Sequence, residues 1–139
     1  MDEKGRIVAA SDLEKITINV APVDLGQVDL LVREGFYQNR SDFIRTAIRN
    51  QVSVHAESVR QTVSRRELVL GLQHYSARDL EAVRAAGERL EIKVVGLASI
   101  ADDVDVELAR AAIGSITVLG AFRASREVKA ALADRIQST

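Results

Sequence analysis

The chain of 139 residues has no cysteine, no tryptophan, a single proline and few aromatic side chains. Without cysteine there is no disulfide framework and no thiolate metal site. Its longest nearly uncharged apolar run, Val94 to Ala101, falls well short of the roughly 20 residues that cross a bilayer. The opening residues, Met1-Asp2-Glu3-Lys4-Gly5-Arg6, are mixed in charge and lead into no secretory apolar stretch. Glycines are scattered, so there is no glycine-rich phosphate loop. His55 and His74 lie far apart with no carboxylate at ligand spacing, which argues against a metal centre. Asp102, Asp103 and Asp105 lack the pattern of a calcium loop and read as a solvated turn. The expectation is an intracellular, cytoplasmic protein with no cofactor, no metal and no membrane partner.

What is present is apolar content of 47%, enough for a core, and an uneven distribution of charge. The net charge is −1. Between Arg40 and Arg66, however, six arginines face two acids, a local +4. Residues 67 to 139 carry nine bases and eleven acids, a local −2. A neutral total with one basic segment is compatible with a polyanionic partner, because attraction depends on the local field.

Lys15-Ile16-Thr17-Ile18-Asn19-Val20 alternates strictly. In a strand, Ile16, Ile18 and Val20 share one face, and Lys15, Thr17 and Asn19 share the other. Pro22 suits the first turn of a helix. That helix is expected to run to about Glu34, with Leu25, Val28, Leu31 and Val32 on one side and Gly35 as its C-terminal cap. Asn39 is a fitting N-cap for a second helix, with Asp42 as a variant capping box. Phe43, Ile44, Ala47, Ile48 and Val52 recur at helical spacing. The second helix either extends through Ala56, Val59 and Val63 or breaks at Val52-Ser53-Val54. One strand of six residues has no partner near it in sequence, and a lone strand cannot satisfy its backbone. The simplest partner is the same strand from a second copy.

The order strand, helix, tight turn, helix, with Gly35-Phe36-Tyr37-Gln38-Asn39-Arg40-Ser41-Asp42-Phe43-Ile44-Arg45 at the expected distance, closely resembles the ribbon-helix-helix DNA-binding family over about residues 14 to 52. The resemblance implies a homodimer whose two strands form an antiparallel ribbon in the major groove of double-stranded DNA. The outward residues Lys15, Thr17 and Asn19 would then contact bases. Asn with adenine, Lys with guanine and Thr with the thymine methyl are chemically suitable pairs. The alternative is a solvated strand face. The resemblance also implies that Asn39, Arg40 and Ser41, opening the second helix, sit on DNA phosphate, where free amides and the helix dipole favour an anion. A plain cap at Asn39 is compatible with that role. Arg45, with Arg49 one turn on, either contacts phosphate or solubilises the helix, and Arg65-Arg66 reads as a solvated junction.

Residues 68 to 139 contain an internal repeat. Leu90, Ile92, Val94, Val95 and Gly96 align with Gly114, Ile116, Val118, Leu119 and Gly120, and Leu80, Val104 and Val128 share the spacing. Gly71-Leu72 recurs as Gly96-Leu97. Each unit is read as a strand ending at glycine, a polar turn, then a short helical or irregular stretch. The strands are expected near 67–72, 91–97 and 115–122 as a small parallel, solenoid-like stack. Chance similarity within ordinary α/β alternation is the other reading. Ser76 with Asp79 reads as a capping pair, not a nucleophile and its base.

The expected architecture is α+β. It comprises an arm over residues 1–13, a dimeric ribbon-helix-helix domain over 14–66 with an extended second helix, and a C-terminal repeat domain over 67–139 that assembles dimers into a higher oligomer, senses a ligand or recruits a protein partner. The arm is either a disordered end or a DNA-contacting tail through Lys4 and Arg6. The expected function is a sequence-specific, nucleoid-associated transcriptional regulator, a repressor, with no enzymatic activity. Two alternatives remain at this level: an antitoxin with a toxin-binding C-terminal half, or a self-assembling scaffold.

Overall fold

A computed structural model describes residues 13–137. Lys4, Arg6 and the rest of the arm up to residue 12 lie outside the described residues. The described residues mix helix and strand and divide into two compact units, one over Lys15–Thr62 and one that contains residues 63–137.

Residues 13–21 form no helix and no strand pairing, so the strand expected at Lys15–Val20 has no partner among the described residues. Helix α1, Pro22–Arg33, begins with proline at its first position. It ends in a Schellman turn: Gly35, at φ +88°, donates to the Val32 carbonyl, and Phe36 donates to Leu31. Only glycine adopts that backbone without penalty, which fixes where the chain reverses. Leu25, Val28, Leu31 and Val32 are the half-buried side of α1, as their spacing predicts. Helix α2, Arg40–Val54, packs against α1.

The second helix does not extend to Val63. It stops at Val54, and α3, Ala56–Arg65, begins after a one-residue break at His55. The cause is local. The Ser53 hydroxyl donates back to the Arg49 carbonyl at 2.9 Å, an interaction that bends helices, and it is flanked by β-branched Val52 and Val54.

The second unit is a three-stranded parallel sheet in the order β1-β2-β3, with β1 Val69–Tyr75, β2 Leu90–Ile100 and β3 Ile113–Arg123. A helix follows each strand: α4 Ala77–Ala85, α5 Val106–Ala112 and α6 Arg126–Ala131, with a 3-10 turn at Ala133–Arg135. The side chains of Ser76, Asp105 and Ser125 cap them. At α4 the capping box is complete, because Asp79 also accepts from the Ser76 amide. Leu80, Ile92, Val94, Ile113, Ile116, Val128 and Leu132 form the fully buried centre of the core. The repeat positions Leu80, Val104 and Val128 are all buried in it.

The strands do not end at their glycines, as the sequence reading has it. They run through them, and Gly71, Gly96 and Gly120 stand side by side in register. Their φ values of +133°, +138° and +117° let the backbone turn locally while pairing continues on both sides. A glycine that usually marks a strand end here marks an irregularity inside the strand.

Candidate nucleic-acid interface

Lys15, Thr17 and Asn19 are exposed on the segment preceding α1. The intervening Ile16, Ile18 and Val20 are also exposed, by 67%, 62% and 43%. Both alternating sets are therefore available. These three apolar side chains at period two have no cover among the described residues.

The turn into α2 is held by short-range contacts. The Asn39 side chain accepts from the Asp42 amide at 2.8 Å, and Asp42 accepts from the Gln38 amide at 3.0 Å. The box is therefore shifted by one residue from the usual form, in which the acid reaches the cap itself. Tyr37 meets Phe43 edge to face at 5.0 Å, stapling the turn to the helix. With the Asp42 amide already satisfied, the amides of Arg40 and Ser41 have no acceptor among the described residues. They are the donors at the positive end of the α2 dipole.

Arg40 is differently engaged. Its Nε donates to Oδ1 of Asp29 at 2.8 Å and its Nη2 to Oδ2 at 2.9 Å, a bidentate pair joining α1 to the first residue of α2. These bonds hold the Asp29 carboxyl below its ordinary range, with added attraction from Arg40 and Arg33, and they raise the Arg40 guanidinium. Both side chains stay about half exposed. Ser41 is exposed beside Arg40. Arg45 and Arg49 are exposed and make no ion pair among the described residues. The structure thus brings Asn39, Arg40 and Ser41 together at one helix end. Arg45 follows on the same helix, and Lys15, Thr17 and Asn19 lie on a separate segment.

Sequence reasoning missed Asp29. The residue is one acid among several on α1, and its pairing depends on the angle set by the Gly35 turn. Eleven positions separate it from Arg40, so no helical periodicity links the two.

Among the described residues no helix is long and apolar enough to cross a membrane, and no cluster of His, Asp and Glu could hold a metal ion. Neither the curated proteins nor the solved structures contain a match to the chain. A helix–turn–helix with a capped, amide-bearing helix end, preceded by an unpaired alternating segment, is the layout that the resemblance implies. The model of the Ribbon-Helix-Helix transcriptional regulator family matches residues 11–129, so the match reaches well into the C-terminal unit, and the chain belongs to this family of DNA-binding transcriptional regulators.

Proposed function

We propose that the chain is a homodimeric repressor, not an enzyme, that reads double-stranded DNA with a two-stranded ribbon formed by Lys15–Val20 of each copy. One observation carries this reading: Ile16, Ile18 and Val20 are uncovered among the described residues, in a family whose members bind DNA, usually as dimers. Pairing the two segments would cover those three side chains and turn Lys15, Thr17 and Asn19 outward toward base edges. Asn39 and Ser41, with the free amides at the α2 end, would take a phosphate on each side. Arg40 would join them with the donors that Asp29 leaves free, and Arg45 would follow along the backbone. The reading puts the protein on the nucleoid.

The C-terminal unit is read as a solenoid-like module that assembles dimers on adjacent half-sites. Its sequential parallel strands and repeated capped helices support this. Its buried core also weighs against an antitoxin, whose tail would fold on its toxin.

The test is a titration of the site recovered by genomic mapping against a scrambled duplex. Thr17→Ala and Asn19→Ala should each weaken specific binding by roughly 1–3 kcal/mol for every base edge no longer read, and leave non-specific binding nearly unchanged. Equal losses on both duplexes would show that the ribbon does not read bases.

A further inference from the structure

Arg40 stands at the first position of α2, where the proposed function puts a DNA phosphate, yet its guanidinium is turned back onto α1. The contact engages one edge of the group. Nε and one hydrogen of Nη2 are used by the two carboxylate oxygens of Asp29, at 2.8 and 2.9 Å. A guanidinium has five N–H donors in a rigid plane, so both hydrogens of Nη1 and the second of Nη2 remain. They lie on the edge away from the carboxylate, a fork that matches two phosphate oxygens. The amides of Arg40 and Ser41 have no acceptor among the described residues.

A long side chain on a helix end samples many rotamers, and a phosphate contact made by such a group loses that freedom on binding. A carboxylate that grips the side-on edge removes most of the freedom beforehand and leaves the end-on edge open. Metal sites use the same logic, with an outer partner orienting the ligand that touches the ion. Asp29 lies on α1, and nothing in the sequence marks it as part of a nucleic-acid surface.

We infer that Asp29 is a positioning residue for DNA binding: it holds the Nε edge of Arg40 and presents the Nη1 edge to the phosphate at the start of α2. The inference rests on the reading that this helix end meets phosphate, and it goes beyond that reading by assigning a role to a residue that touches no DNA. Asp29 also cancels part of the Arg40 charge. Its removal therefore raises the local positive charge while releasing the side chain, and the two effects oppose each other in affinity.

A double-mutant cycle on the full chain separates them. The probe is a random-sequence duplex of roughly three helical turns, because phosphate contacts do not depend on sequence. Arg40→Ala should weaken binding and flatten the salt slope by about one unit for each phosphate it releases. Asp29→Asn should weaken binding roughly three- to tenfold in the natural background, and by less than about twofold when Arg40 is already alanine. Asp29→Glu, which keeps the carboxylate, should recover part of the loss. Urea midpoints should barely move for Asp29→Asn, because exposed ion pairs contribute little to stability. If Asp29→Asn costs the same with and without Arg40, or binds DNA more tightly with a steeper salt slope, Asp29 does not position Arg40 and the inference fails. If Arg40→Ala leaves affinity and slope unchanged while the natural protein binds DNA, the phosphate role of this helix end fails and the inference falls with it. A natural protein that binds no duplex would overturn the proposed function itself.

Discussion

A β-carbon placed on Gly96 would stand 2.1 Å from the carbonyl oxygen of Gly71 on the neighbouring strand. The relation repeats one strand on, where a β-carbon on Gly120 would stand 2.1 Å from the Gly96 oxygen. The obstacle in each case is backbone, which cannot rotate away. Both glycines also have φ in the left-handed half of the map, at +138° and +117°. Gly96→Ala and Gly120→Ala should each cost about 3 kcal/mol or more, combining backbone strain with overpacking. Gly26, in the middle of α1, has nothing within 4 Å of its virtual β-carbon, and Gly26→Ala should instead gain about 0.5–1 kcal/mol. Chemical denaturation compares the three. A mild effect at Gly96 would mean that the ladder can open to admit a methyl group.

Glu67 is the one residue other than glycine, among those described, with positive φ, at +54°. It closes α3 in a Schellman turn, with its amide on the Ser64 carbonyl and the Leu68 amide on Val63. The left-handed conformation costs an ordinary residue about 1–2 kcal/mol, and glycine's extra freedom in the unfolded chain offsets part of that. Glu67→Gly should therefore raise stability by about 0.5–1 kcal/mol in urea or thermal unfolding. A loss of stability would show that the Glu67 side chain makes a contact worth more than the strain.

How much of this was legible in the sequence depended on distance along the chain. The Asn39 cap, the Gly35 turn and the Ser76–Asp79 box are encoded within a few residues, and each was readable from its own neighbours. Part of the C-terminal core was also readable, because Leu80, Val104 and Val128, apolar positions 24 residues apart, are all buried. Strand lengths were not. Glycine ordinarily ends a strand, and only pairing with other glycines some 24 positions away, a tertiary fact, lets these strands continue. Asp29–Arg40 failed to show for the same reason: the pair exists only once the turn has set two helices against each other. The break at His55 was half visible, in the Val52-Ser53-Val54 run that weakens the helix.

The capping box on α4 gives the C-terminal unit a defined response to acid. Asp79 accepts from the Ser76 amide at 2.9 Å, and the Ser76 backbone and hydroxyl together hold its carboxyl below the ordinary 3.8, helped by the charges of His74 and Arg78. A carboxyl depressed in the folded state stabilises fully above its unfolded value and loses that contribution as pH falls through the folded value. Stability should therefore drop as pH falls below about 3.8. Asp134 acts in the same direction, its carboxyl lowered chiefly by the hydrogen bond from Arg110. Asp79→Asn should be less stable near neutrality and should lose less on acidification than the natural chain. Denaturation midpoints at roughly pH 6 and pH 3 would check this. Equal acid losses in both proteins would show that Asp79 carries none of the response.

Folding of the Lys15–Thr62 unit should be inseparable from dimerisation. None of its residues is buried, and the exposed side chains include Ile16, Ile18, Val20, Ile44, Ile48 and Val52. A unit of this size buries too little surface to be stable unaided, and an unpaired strand leaves its amides and carbonyls unsatisfied. In the proposed dimer a second copy would supply the missing strand and the missing apolar cover together. Mass action then makes the melting temperature of this unit rise with protein concentration, whereas the separately cored C-terminal unit should melt independently of concentration unless it too assembles. Ile18→Asp would bury a charge on the covered side of the ribbon, and Val20→Pro would remove a donor from it. Both should unfold the first unit and leave the second folded, so that circular dichroism shows partial loss of helix with the parallel sheet retained. Sedimentation equilibrium across a hundredfold range of concentration, with melts at each end, measures the linkage. A monomer that keeps α1 and α2 fully folded and melts at the same temperature throughout would rule out the ribbon, and with it the assignment of Lys15, Thr17 and Asn19 to base contacts.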